Sequence, residues 1–132
     1  MCLQPAVDRR VYADTTDFTF AEIPEDLGTD RFTFIRTVGV DCYSDYPDAL
    51  SFTAMKPVRL YVGFRDDQRL PDWVDTEYLT TSYRVKVDSR LRILTYVMYE
   101  SKKIFIPTEG TRIVVHHLFI VLLCVTCCLC CR

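Results

Sequence analysis

Pro71-x-Trp73, with Arg65-Asp66-Asp67 before it and Tyr78 after it, is the stretch whose residue types suit ligand chemistry best. An indole ring stacks on a sugar face, while a guanidinium and carboxylates hydrogen-bond hydroxyls. Trp73, Tyr61, Tyr78, Arg65 and Asp66 are therefore the candidate ligand-binding residues. A plainer reading stands beside this one. After the rigid turn at Pro71 the Trp73 ring folds back over a sheet edge as core cover, with Leu70 and Tyr78 near it. Arg65 then pairs with Asp66 or Asp67 at the surface, where such pairs contribute little stability. The strand tyrosines Tyr61, Tyr83, Tyr96 and Tyr99 carry the same ambiguity, as a binding row or as a sheet cover with wet hydroxyls.

Catalysis needs a proton shuttle or an activated nucleophile. Both histidines, His116 and His117, lie in the apolar tail, so a Ser-His-Asp or Cys-His arrangement is not available to the body of the chain. The remaining carboxylates (Asp66-Asp67, then Asp72, Asp75 and Glu77) read as solvated turn residues, and the chain is expected not to be an enzyme. Asp41, Asp45 and Asp48 gather hard oxygen ligands on one loop and are a weak calcium candidate, but the regular alternate-residue spacing is lacking. Otherwise no metal and no cofactor is expected.

Five of the seven cysteines crowd into the tail HHLFIVLLCVTCCLCCR. Cys124-x-x-Cys127 and Cys127-x-x-Cys130 have metal or redox spacing, but zinc requires further ligands on a folded scaffold. Cys127, Cys128, Cys130 and Cys131 are instead candidate palmitoylation sites. Cys2 and Cys42 lie apart from them, as two thiols or one disulfide.

The elements that must position these groups are strands. Val58–Phe64 alternates cleanly, with Val58, Leu60, Val62 and Phe64 on one face and Arg59, Tyr61 and Gly63 on the other, a period of 2. Similar stretches run over Phe18–Ile23, Arg31–Val38, Leu50–Met55, Tyr83–Val87, Arg92–Tyr99, Lys103–Ile106 and Thr111–Val115. The segment from 65 to 82 reads as a long loop, and no helix is expected before residue 115. This pattern predicts an all-β chain, a two-sheet antiparallel β-sandwich followed by an apolar, helical tail. The divisions are 1–9 as a leader, 10–112 as the sandwich, and 113–132 as a tail and candidate transmembrane segment.

Composition limits partners and place. The 132 residues are 49% hydrophobic and 13% aromatic, enough for a core. Net charge is −2, from 16 basic and 18 acidic groups; without Arg132 the body holds 15 against 18, or −3. With no basic face to meet phosphates, nucleic acid is not an expected partner. From Ile113 to Cys131 a helix would measure about 28 Å, close to a hydrocarbon core. If Arg112–Val115 instead close the last strand, His116–Cys131 is marginal as a span. The expected location is therefore a membrane, single-pass, with the domain extracellular or lumenal, and the expected ligand a glycan or a protein.

The order of segments resembles a known module. RVYADTTDFTFAEIPEDLGTDRFTFIRT, then LSFTAMKPVRLYVGFRDDQRLPDWV, then KIFIPTEGTRIVV are similar to the small β-sandwich accessory module of secreted bacterial polysaccharide-degrading proteins, over about residues 10–115. Leu60-Tyr61-Val62 with Arg65-Asp66-Asp67, and Pro71-x-Trp73, are its most specific pieces. The family's closing glycine pair is replaced by Val114-Val115-His116-His117, and its Gly/Asp-rich loop by GVDCYSDYPDA. The resemblance implies a non-catalytic extracellular module that binds or acts as a spacer, tied to carbohydrate, and often one of several in a longer protein. An accessory fragment of a larger secreted glycan-active enzyme and an intracellular tail-anchored protein are the alternatives.

Overall fold

The computed structural model describes residues 2–3, 6–12, 16–28, 32–35, 50–53, 57–106, 110–113 and 119–124. Nine strands are present among them: β1 (Cys2–Leu3), β2 (Thr19–Glu22), β3 (Phe32–Ile35), β4 (Leu50–Thr53), β5 (Val58–Arg65), β6 (Tyr78–Asp88), β7 (Ile93–Phe105), β8 (Gly110–Ile113) and β9 (Phe119–Cys124). One short helix, α1 (Asp72–Glu77), precedes β6, and a 3-10 turn covers Glu25–Gly28.

The alternation at Val58–Phe64 does become a strand with the faces expected of it. Val58, Leu60, Val62 and Phe64 join one apolar cluster with Val74 and Tyr78. Tyr61 joins the other, with Phe32, Phe34, Val85, Val87, Tyr96 and Met98. Because successive side chains point to opposite faces, the two clusters lie on opposite sides of the same sheet. Both faces are therefore covered. Tyr61 and Gly63 are buried rather than wet, and Tyr96 is fully buried with its hydroxyl 2.9 Å from that of Tyr12.

The strands do not divide into two stacked sheets of similar size. Seven pair in one curled antiparallel sheet in the order β1-β3-β9-β5-β7-β6-β2, and β4 with β8 forms a separate two-stranded sheet. Alternation announces strands but not how many layers they form. Three register shifts interrupt the sheet, a small one between Phe20 and Glu22 of β2 and two larger ones. Between the pairs Arg59↔Ile104 and Tyr61↔Glu100, β7 advances four residues while β5 advances two. Between Thr80↔Tyr99 and Arg84↔Val97, β6 advances four while β7 advances two. Bulges of this kind bend a strand and raise its twist. They allow long, bent strands to fold one sheet over its own core.

Three further expectations change. Arg92–Tyr99 and Lys103–Ile106, expected as two strands, are one strand β7 of 13 residues with a bulge at the break. The expected loop 65–82 contains α1, whose six residues are too few for helical periodicity to register in the sequence. Pro71 at φ −61 leads into it, and Asp72 and Asp75 sit in its first turn, where the helix dipole favours acids. Within the stretch read as a leader of unknown role, described residues pair with the sheet. β1 pairs with β3, and beside β2 Asp8 donates to the Phe20 carbonyl at 2.8 Å while Phe20 donates to that of Arg9 at 3.0 Å.

The largest change falls in the tail. Phe119–Cys124, expected within a helical span, is β9, paired with β3 on one side and β5 on the other. The sheet thus continues past 112 into the segment set aside as 113–132. A residue run of Phe, Ile, Val and Leu is equally apolar as helix or strand, and partners on both edges decide the matter here. No helix among the described residues is long and apolar enough to cross a membrane. Cys127, Cys128, Cys130 and Cys131, the calcium candidates Asp41, Asp45 and Asp48, and also Cys42, His116 and His117, lie outside the described residues.

Candidate functional site

Of the predicted site residues, Trp73 and Tyr78 are in contact, while Tyr61 lies on the opposite face of the sheet. Trp73, on α1, is half-buried and meets Phe64 and Tyr78 edge-on, with ring centroids 5.9 and 5.5 Å apart. It pins α1 onto the sheet through the cluster that also holds Leu70, Tyr99 and Phe105. Tyr61 packs edge-on against Phe32 at 5.3 Å on the opposite face. Arg65 and Asp66 sit in the turn after β5. The Arg65 guanidinium bonds Asp67 Oδ2 at 2.8 Å, and Arg92 approaches the same oxygen at 3.5 Å. Asp66 is exposed and donates its backbone N–H to the Thr95 carbonyl at 3.0 Å. The Arg65 hydrogen bond holds the Asp67 carboxyl below the usual carboxylate value, with charge attraction from Arg65 and Arg92 adding to it.

Tyr78 borders an open cleft. That cleft, of about 330 Å³, is lined by Thr76, Glu77, Tyr78, Ser101, Lys102, Lys103 and Phe105. The end of α1 and the start of β6 form one wall, and the bulge of β7 forms the other. Tyr78 and Phe105 supply aromatic surface. Burial pushes the Tyr78 phenol well above its ordinary value, and the Glu77 carboxylate beside it adds to the rise. The hydroxyl is therefore a neutral hydrogen-bonding group throughout the physiological range.

The bulge builds the second wall. It breaks the β5–β7 ladder and would leave the Leu60 N–H without a partner. Ser101, only 1% exposed, fills the gap: its Oγ accepts from Leu60 N at 3.0 Å and donates to the Lys103 carbonyl at 2.7 Å. Arg59 reinforces the turn, donating to the Ser101 carbonyl at 2.9 Å and pairing with Glu100 at 3.1 Å. A hydroxyl is suited to this position because it donates and accepts at once. Lys102 Nζ then reaches across to the Thr76 carbonyl at the end of α1, 3.0 Å away, and ties the two walls together. Lys103 Nζ lies over the Phe105 ring, 5.3 Å from its centroid.

Sequence reasoning passed over Thr76, Ser101, Lys102, Lys103 and Phe105, and weighed Glu77 only as a solvated turn carboxylate. One signal was present. The alternation fails at Glu100-Ser101-Lys102, between the two strands expected there, and that gap is the bulge. Bulges are frequent beside binding sites because they re-aim side chains. No group of three or more His, Cys, Asp or Glu able to hold a metal ion is found among the described residues.

The chain matches no protein-family model and no curated protein. Among solved structures it resembles a β-glucuronidase from glycoside hydrolase family 2, with a TM-score of 0.74 and 17% sequence identity. The fold is shared with part of a glycosidase. The match covers 93% of this chain and 13% of that one, so the chain corresponds to a small, module-sized portion of the neighbour. At this identity the likeness is one of fold. It agrees with the coarse form of the sequence resemblance, a small β-rich module associated with glycosidases.

Proposed function

We propose that this chain is a non-catalytic accessory module that binds glycan in the cleft between α1 and the β7 bulge. The observation that carries the reading is the cleft itself. Aromatic surface from Tyr78 and Phe105 lies beside hydroxyl, carboxylate and ammonium groups from Thr76, Glu77, Lys102 and Lys103. That mixture suits a sugar ring, which offers an apolar face and a polar rim. The fold likeness to part of a β-glucuronidase adds support for a glycan-associated setting, and an extracellular or lumenal location belongs to the same proposal.

The cleft is better suited to binding than to hydrolysis. Cleaving a glycosidic bond ordinarily takes two carboxyl groups facing one another, about 5 to 9.5 Å apart. Glu77 is the one carboxylate among the lining residues. A finer two-layer sandwich arrangement is part of this proposal. Membrane attachment through a helical tail is not, because β9 takes up the middle of that tail.

The test is a glycan array followed by calorimetric titration with the full-length chain. The expected result is saturable binding without release of reducing sugar, weakened about tenfold by Phe105→Ala. Absence of binding to every glycan on the array would refute the proposal. Turnover of a bound glycan would refute its non-catalytic part.

A further inference from the structure

We infer that the glycan is an extended chain rather than a single terminal sugar, and that a second subsite for it lies on the same sheet face, at Trp73, Tyr99 and Arg84. The inference rests on the glycan-binding reading above. It adds the length of the ligand and the course it takes beyond the cleft.

β7 alternates sharply before its bulge. Leu94, Tyr96 and Met98 are buried in the cluster that holds Phe34, while Thr95, Val97 and Tyr99 on the other face are only half-buried. That second face is the one that carries Phe64, Trp73 and Tyr78. β6 shows the same split. Val85 and Val87 are buried, whereas Arg84 and Lys86 are exposed on the opposite side, with Arg84 paired to Val97. A partly open surface therefore continues along the sheet beside α1.

Aromatic rings connect this surface with the cleft. Phe105 and Tyr78 line the cleft. Tyr78 meets Trp73 with ring centroids 5.5 Å apart, Trp73 meets Phe64 at 5.9 Å, and Phe64 meets Tyr99 at 6.3 Å. Trp73 and Tyr99 keep part of their surface open to solvent. From Tyr99 to Phe105, β7 spans at most about 20 Å. A track of that length takes several linked sugar rings, not one.

The β6 bulge supplies polar groups to the track. Arg84 follows that bulge, and its Nη1 donates to the Thr81 and Tyr83 carbonyls at 2.8 and 3.0 Å. Both bonds use one nitrogen and hold the guanidinium in place, so the rest of its rigid fork is available to hydroxyl oxygens. Arg84 and Asp75 both stand within electrostatic reach of the Tyr99 phenol. Burial raises the pKa of that phenol, the Arg84 charge lowers it, and the Asp75 carboxylate raises it. A fixed donor fork, a phenol and a carboxylate thus accompany the half-open Tyr99 ring. Each of the two larger bulges therefore serves one end of the same binding surface.

The experiment takes the glycan that binds best on the array and titrates the full-length chain with its oligomers, from the disaccharide upward. The expected result is that affinity rises about tenfold or more with length and then levels off. Tyr99→Ala and Arg84→Gln should each remove most of that gain and leave disaccharide binding at the parent value. Phe105→Ala should weaken every length alike. Arg84 is exposed, so Arg84→Gln should keep the parent's circular dichroism and tests the subsite even where Tyr99→Ala loosens the fold. Equal affinity at every length, with Arg84→Gln equal to the parent, would overturn the inference and leave the glycan reading intact. Failure of every length to bind would remove both.

Discussion

Tyr78 concentrates the residue-scale physics of this chain. Its ring is nearly buried against Trp73, and the residue lines the cleft. Burial raises its pKa above the ordinary value near 10. The folded state then holds a proton that the unfolded state has already released, so the contribution is complete below about pH 10 and is lost as pH rises above it. Chemical denaturation should therefore show stability falling steeply above about pH 10. Tyr78→Phe should flatten that limb while leaving the neutral-pH value within about 1 kcal/mol. Asp67 shows the opposite sign. Arg65 depresses its pKa, so the stability from this pair is present above the ordinary carboxylate value and fades as pH falls through the lowered one. Because Asp67 is solvent-exposed, the clearest readout is its own titration followed by NMR. The midpoint should sit below that of a free aspartate and return toward it in Arg65→Gln. A midpoint unchanged by that substitution would mean Arg65 is not its cause.

At the scale of elements, the two bulges decide more than any regular strand does. Ser101 is the fastening of the β7 bulge. Ser101→Ala removes a buried hydroxyl and strands the Leu60 N–H, at a cost of about 1 to 3 kcal/mol by urea denaturation. The same substitution should weaken glycan binding, since Lys102 and Lys103 are positioned by the turn that Ser101 holds. A loss below about 0.3 kcal/mol would show that the bulge is stable without its hydroxyl. The β6 bulge is fastened in a similar way, with Thr81 Oγ1 donating to the Met98 carbonyl at 2.7 Å and accepting from Tyr83 N at 3.1 Å. Both bulges fall where the sequence pattern lapses. The strands on either side were legible because period 2 needs only the identity of alternate residues. The register shift was not, since it depends on which residues of another strand lie opposite. Helix α1 escaped notice for a related reason: Trp73 and Val74 face inward only because β5 and β6 provide something to face.

At the scale of the molecule, β9 is the element on which the sheet depends, lying between β3 and β5. A chain ending at Arg112 should therefore lose cooperative unfolding and bind a hydrophobic dye, because two strand edges and the apolar faces beside them open to water. A chain ending at Cys124 should melt as one unit. Equal melting of the two would show that β9 is dispensable. The sequence by itself determined that this protein is built from antiparallel strands and that β5 has the two faces it has. It also raised the glycosidase-module likeness that the fold comparison supports in coarse form. Those conclusions follow from local chemistry: alternation and residue type are properties of a segment alone. Only the tertiary structure decided that the strands close mainly into one curled sheet, that Phe119–Cys124 is a strand, and that two neighbouring lysines share a cleft. Each of these depends on hydrogen-bond partners far away in the chain, and an apolar run or a charged pair does not record which partner it will meet.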